Sequence, residues 1–504
     1  MDSYLSSALV TWRVLCLLLL CMNDIPPILT AQSSPLEENA TYRIMERINS
    51  TENKIKINNL EDILTPFGTQ LKGIYKSFGY KTINERMPAI LNRVIDTLRQ
   101  EEAEIVAKYG EELSQVINDI KTLRKEIIEN QPLKPLAQLP NEHKLNSKIT
   151  KAWNDYLIER TNLEGEIPTW YNTTWIYCEC YMYQRLAHAE TLHSYDQFSG
   201  QKREAFDGSM ASVIAVAGYT MGLINRTEEN PMAQVKSEFA KLIRLGLWGN
   251  RCDLSLSGGA ANGQVGDPLD LLEGLEKDIL VDDTEFVWNL VTKAQTSNST
   301  ITIDIVLDNA GYELFTDFCL AAYLIAKNLA QKIRFYVKRV PWFISDVTTE
   351  DFHWMIQSMN ASSDEKLAQL GALLIEYLEN GAWTIVDEPF WTGPFIYSEM
   401  ADRDPVLYAK LSEANFVIFK GDLNYRKLVG DINWEYTTSF LEAVQGFLPT
   451  NFVSLRTIKS DVCVGLKHRE GESLHEKNPN WLLTGQYGLI QATIDSCPCN
   501  KTEF

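Results

Sequence analysis

The sequence predicts an α/β protein: a three-layer α/β/α core on a mostly parallel sheet, with a helical N-terminal domain. Three observations carry this. Across residues 71–247, apolar residues recur at three- and four-residue spacing, the period of helices that bury one stripe. From residue 248 to 495, short β-branched runs alternate with amphipathic helices, and the connections are long enough for the crossovers that parallel strands need. The chain has 504 residues, enough to bury a large core and to divide into more than one domain.

Residues 1–32 read as a possible signal-like leader. Arg13 precedes an apolar run from Val14 to Met22, and Pro26-Pro27 follows. The run has the length of a signal-peptide core and is too short for a comfortable membrane span. A working leader would send the protein into the secretory pathway, where Asn-x-Ser/Thr triplets such as Asn39, Asn172 and Asn360 would matter. Against that, nine cysteines are few for the length and odd in number, which favours a reducing, cytoplasmic compartment. Residues 33–70 are polar, without a sustained period, and read as a tail or linker. No other stretch could span a membrane.

The helical part opens with Ile90, Leu91, Val94, Ile95 and Leu98 on one face. A second run, Ile105 to Ile128, stops before Pro132 and Pro135, which cannot continue a helix. Ser147 to Arg160, Trp175 to Leu192, Ser209 to Leu223 and Met232 to Leu247 follow in the same style. Cys178 and Cys180 point to different sides of such a helix and make a poor chelate. Cys497-Pro-Cys499, in a tail at residues 496–504, likewise lacks zinc-finger spacing.

The formal net charge is -20. Such a surface repels nucleic acid, whose binding depends on neutralising phosphates. It repels small anions too, so a phosphate substrate needs a local cationic pocket or a metal ion. Histidines show no ligand spacing, and no Ser/Cys–His signature, Gly-x-x-x-x-Gly-Lys-Ser/Thr loop or Gly-x-Gly-x-x-Gly turn occurs.

In open α/β sheets the ligand lies outside the carboxyl ends of the strands, so residues following each strand carry the information. Ile301 to Leu307 is followed by Asp308-Asn309-Ala310-Gly311 and a helix opening at Tyr312 that runs toward Ala330. A carboxylate and an amide oxygen at adjacent positions are hard donors suited to Mg²⁺ or Mn²⁺; an Asx turn capping the helix is the alternative. After Ile333 to Val337, Pro341-Trp342-Phe343-Ile344 leads to Ser345-Asp346, where a second carboxylate could face Asp308 or cap the next helix. After Phe416 to Phe419 comes Lys420-Gly421-Asp422-Leu423-Asn424-Tyr425-Arg426-Lys427, which reads as a sugar- or phosphate-binding loop, Asp and Asn holding hydroxyls and Arg forking onto phosphate. Val453 to Ile458 ends in Arg456-Thr457-Ile458-Lys459, where a lysine could offset phosphate charge or simply lie on the surface. Trp248 to Gly259 is a glycine-bearing segment that reads as a closing loop or an interdomain connection.

These segments together resemble the damage-control phosphatases, in the subfamily marked by an Arg-Thr-x-Lys motif. Its animal members are also called acidic-residue, or protein-glutamate, O-methyltransferases. The resemblance runs from about Leu64 to about Gln491 and is most specific in the run centred on Gly421. It implies hydrolysis of sugar phosphates such as fructose 1-phosphate and fructose 6-phosphate, with one divalent cation, Mn²⁺, Ni²⁺ or Co²⁺, with Mg²⁺ also compatible. Asp308, Asn309 and Asp346 become the implied metal ligands, with Asp308 the candidate catalytic carboxylate. Asp308, Asn309, Asp422, Leu423, Asn424, Tyr425, Arg426 and Lys459 become the implied substrate contacts. Two other functions stand beside this one: S-adenosylmethionine-dependent methylation of protein glutamate, and sugar-phosphate binding without catalysis. The sequence leaves the oligomeric state open.

Overall fold

The computed structural model describes residues 63–109, 113–137, 144–189, 195–226, 231–249, 274–295 and 300–493. These belong to one compact unit, Asn53–Phe504. The leader, residues 33–62 of the polar tail, residues 250–259 of the glycine-bearing segment and the Cys497-Pro-Cys499 terminus lie outside them.

The fold is the expected α/β/α arrangement. Seven strands form one sheet: β1 Ile279–Asp282, β2 Thr302–Val306, β3 Lys332–Tyr336, β4 Trp383–Val386, β5 Phe416–Lys420, β6 Phe452–Thr457 and β7 Gly488–Ala492. Their order is β1-β7-β6-β5-β2-β3-β4. Every neighbouring pair is parallel except β6 and β7. The four strands read from sequence are β2, β3, β5 and β6. Those missed are β1, β4 and β7. The first two are four-residue edge strands, largely half-buried, so they lack the long apolar run that marks a central strand.

Period-two alternation divides the sheet between two hydrophobic cores. On β5, Val417 and Phe419 join one core while Phe416 and Ile418 join the other. Leu91 of α1 (Met87–Gln100), Ile120 of α2 (Leu113–Ile128) and Trp175 of α3 (Trp175–Ala189) belong to the first core. Beyond α4 (Ser199–Gly208), Val213 of α5 (Met210–Ile224) and Phe239 of α6 (Met232–Gly249) belong to the second. So do Phe318 of α7 (Tyr312–Ala326), Phe352 of α8 (Thr349–Asn360) and Leu370 of α9 (Glu365–Glu379). Each fully buried Leu or Phe contributes about 1.5–3 kcal/mol relative to exposure, so both faces need their helices.

Two local expectations change. The run Ile105 to Ile128 is not one helix but two, Glu102–Tyr109 and Leu113–Ile128. The segment read as a binding loop after β5 is a helix, α10 (Gly421–Leu428), that starts directly from the strand. Lys420 ends the strand as its N-cap, and Gly421 takes φ +79°, a turn glycine makes without a Cβ penalty. Thus no loop residues separate strand from helix. Among the described residues no single helix is long and apolar enough to cross a membrane. Cys178 and Cys180 are buried in α3 as free thiols.

From β2 the chain proceeds to β3 and β4 on one side, then returns to β5 on the other. The gap between the ends of β2 and β5 is therefore a topological switch point, where open α/β sheets bind ligands.

Candidate active site

Asp308 leaves the end of β2 and Gly421 the end of β5. Val306 pairs with Phe419 two residues earlier, so the two emerge side by side. A Cβ built on Gly421 would lie 1.8 Å from Asp308 Oδ2. The third element arrives from β3: an antiparallel bridge joins Asn309 to Asp346. In it Ala310 N donates to Ser345 O at 2.7 Å and Val347 N to Asp308 O at 2.8 Å. The approach to Asp346 is strained, with Phe343 at φ 43° and Ile344 at φ 71°. Ile is β-branched and disfavours that region strongly, and such strain gathers at functional sites.

The helix-capping alternatives fail on geometry. The N-cap of α7 is Gly311, with no side-chain hydrogen bond. The N-cap of α8 is Thr348, in a reciprocal capping box with Asp351. Asp308, Asn309 and Asp346 are thus not the side chains that cap these helices. The Asn309 amide donates to Asp308 Oδ2 and Glu313 Oε2, both at 2.8 Å, while Ser345 Oγ donates to its Oδ1 at 2.6 Å. Asp346 Oδ2 lies 3.1 Å from Lys338 Nζ, which also donates to Leu307 O at 3.0 Å.

Two further buried cations brace this trio. Lys420 donates to Gly246 O at 2.6 Å and pairs with Asp317 at 2.7 Å and Glu313 at 3.2 Å. Burial pushes the Asp317 carboxyl up to about 7, the Lys420 charge opposing. Lys202 of α4 donates to the backbone oxygen of Asp346 at 2.9 Å and to Asp196 and Asp351, both at 2.7 Å.

The facing wall comes from α10 and the end of β6. Asp422 Oδ1 accepts from Arg456 Nε at 2.7 Å, Ser460 Oγ at 3.2 Å and Lys459 N at 3.3 Å. Arg426, read as a phosphate fork, directs that fork onto Asp431 at 2.8 and 3.0 Å. It also donates to Glu179 at 2.9 Å. Its guanidinium lies over Trp175, 3.7 Å from the ring centroid. It still borders the cavity, but as part of a neutralised network.

The cavity is a partly open cleft with about 40 Å³ of interior space. It brings together Asp308, Asn309, Asp346, Asp422, Leu423, Arg426 and Lys459 of the expected set. Asn424 and Tyr425, grouped with substrate contacts in the sequence reading, turn away from it. The Asn424 amide donates to Lys420 O at 2.7 Å and Leu307 O at 3.2 Å, and Tyr397 donates to its oxygen. Tyr425 donates to Gln491 at 3.1 Å and stacks on Phe440. These side chains pin α10 to its neighbours, because one turn of helix cannot aim five consecutive residues at a single cavity.

Sequence reasoning missed the wall beside Arg426, made by Phe78, Arg86, Trp175 and Glu179. These residues lie far away in the chain and carried no local signal. Lys338 and Arg456 did carry one: each is a cationic residue at or just past the end of an apolar strand.

The donors fit a hard divalent cation. Among the described residues no three His, Cys, Asp or Glu side chains converge as a ligand set. Asp308 and Asp346 offer two carboxylates and Asn309 an amide oxygen, and Mg²⁺-type ions are commonly held by one or two carboxylates plus substrate phosphate. The Gly421 backbone leaves the Asp308 carboxylate the space that a Cβ would fill.

Fold and pocket define an α/β/α protein with an acidic, oxygen-lined site at the sheet's switch point. The chain belongs to the family of the damage-control phosphatase ARMT1-like domain, which matches residues 82–474. It is 38% identical over 429 residues to damage-control phosphatase ARMT1 of Danio rerio, covering 82% of this chain and 94% of that one. The human protein of that name is 39% identical over 429 residues, covering 82% and 96%. The Mus musculus protein is 39% identical over 431 residues with the same coverage, 82% and 96%.

Proposed function

We propose that this damage-control phosphatase is a divalent-metal-dependent enzyme that hydrolyses sugar phosphates, fructose 1-phosphate and fructose 6-phosphate among them. The observation that supports this best is the convergence of Asp308, Asn309 and Asp346 with Lys459 and Asp422 in one cavity. Asp308, Asn309 and Asp346 would hold the cation, which when bound supplies Lewis-acid neutralisation at the phosphoryl group. Mn²⁺ and Mg²⁺ suit such oxygen donors, and Ni²⁺ and Co²⁺ are the other candidates.

The remaining work belongs to the chain. Lys459 borders the phosphate end and offsets negative charge as the ester bond breaks. Asp422, fixed by Arg456 and Ser460, accepts hydrogen bonds from sugar hydroxyls. The bracing by Lys338, Lys202 and Lys420 holds the acidic residues in place before substrate arrives, so little reorganisation accompanies reaction. The test is release of inorganic phosphate from both fructose phosphates with and without Mn²⁺. Loss of release in Asp308→Ala supports the reading; equal release by the variant overturns it.

A further inference from the structure

The cavity has a wall beside Arg426 that the reaction does not explain. It is supplied by Phe78, Arg86, Trp175 and Glu179, all from the chain ahead of the sheet. Arg86 ends a π-helical turn, Thr82–Arg86, inserted between α-helical residues. Such turns are rare and recur at functional sites, because the extra residue re-aims a side chain. Here the turn leaves Arg86 part-buried on the cavity wall, its guanidinium 5.0 Å from the centroid of the Phe78 ring.

We infer that Arg86, with Phe78, binds the hydroxyl-bearing part of the substrate and so determines specificity for sugar phosphates. This rests on the phosphatase reading above. A sugar presents C–H faces and hydroxyl oxygens; the part-buried Phe78 ring matches the first and the N–H groups of Arg86 the second. A neutral polyol fits this wall better than a second phosphate. Recognition of phosphate calls for converging cations, but Arg426 is engaged by Asp431 and Glu179, and Arg456 by Asp422. Glu179 on the same wall is already paired with Arg426 at 2.9 Å. Arg86 lies near enough to act on the charge of Glu179.

The experiment compares wild type, Arg86→Met and Arg86→Lys on fructose 6-phosphate, fructose 1,6-bisphosphate and p-nitrophenyl phosphate, which has no hydroxyls. In Arg86→Met the ratio of kcat/KM on fructose 6-phosphate to that on p-nitrophenyl phosphate falls at least tenfold, mainly through KM, with Arg86→Lys intermediate. An unchanged ratio overturns the inference. A loss on the bisphosphate tenfold greater than on the monophosphate also overturns it, because Arg86 would then serve a second phosphate. Should Arg86→Met melt early, Phe78→Leu replaces it, with an expected threefold fall in the same ratio and an unchanged ratio again overturning it. Wild type inactive on every ester with Mn²⁺ present refutes the phosphatase reading instead. Calorimetric titration of fructose 6-phosphate into wild type and Arg86→Met then decides the contact separately: equal affinities overturn it, and weaker binding by the variant supports it.

Discussion

Gly421 and Asp308 occupy each other's space: a Cβ on residue 421 would lie 1.8 Å from Asp308 Oδ2 and 2.2 Å from its Cγ. The ends of β5 and β2 can hold a carboxylate between them only because residue 421 lacks a side chain. Gly421→Ala should therefore displace Asp308 and also strain a backbone at φ +79°. A shift of about 1 Å in a catalytic group can cost about 100-fold in rate, and phosphate release should fall by at least that. Activity within threefold of wild type would separate Asp308 from the reaction.

Lys202 holds two carboxylates and the backbone of Asp346 from α4. Lys202→Met leaves Asp196 and Asp351 buried without their shared cation. Breaking such a buried pair costs about 3–5 kcal/mol, which urea denaturation would register as a lower midpoint at unchanged slope. A loss below about 1 kcal/mol would show that the network relaxes around the gap.

The Asp422 carboxylate fixes Arg456, Ser460 and the backbone of Lys459 together. Asp422→Ala leaves the fully buried Arg456 bonded to Ser460 and Val462 but without its carboxylate partner, and about 3–5 kcal/mol of stability should go with it. Activity should fall more than tenfold, as for loss of one positioned polar group in a site. Steady-state kinetics at a temperature where the variant is folded would check this, full activity there counting against Asp422.

Asp461 accepts a hydrogen bond from Phe78 N at 2.5 Å. Burial pushes its carboxyl up to about 6 from an ordinary 3.8; the Phe78 N–H and Arg426 oppose the rise, and Asp431 and Asp422 add to it. Between these two values the folded chain holds a proton that the unfolded chain has released, so this group makes stability fall as pH rises from about 4 to about 6. Asp461→Asn keeps an acceptor for Phe78 and removes the titration. It should be more stable than wild type at pH 7, with the gap closing by pH 4. Parallel denaturation curves for the two proteins across that range would refute the assignment.

If Asp308, Asn309 and Asp346 hold a divalent cation, chelation should abolish phosphate release and lower Tm, because a ligand bound only to the folded state stabilises it by mass action. Readdition of Mn²⁺ should restore both. Asp346→Asn should respond less to chelator than wild type, and an identical Tm response in the two would remove Asp346 from the ligand set.

The sequence by itself determined the α/β/α class, the four central strands and the position of each polar cluster just past a strand. Its reach came from local periodicity: buried parallel strands read as apolar runs, and whatever follows them stands at the sheet's carboxyl edge. Tertiary structure decided what periodicity cannot carry. It placed Asn309 beside Asp346, turned Asn424 and Tyr425 away from the cavity, and engaged Arg426 with Asp431 and Glu179. It also brought Phe78, Arg86 and Trp175 to the cavity. A residue's type and spacing fix which face of its own element it takes, whereas its partners are set by elements packed against it from far along the chain.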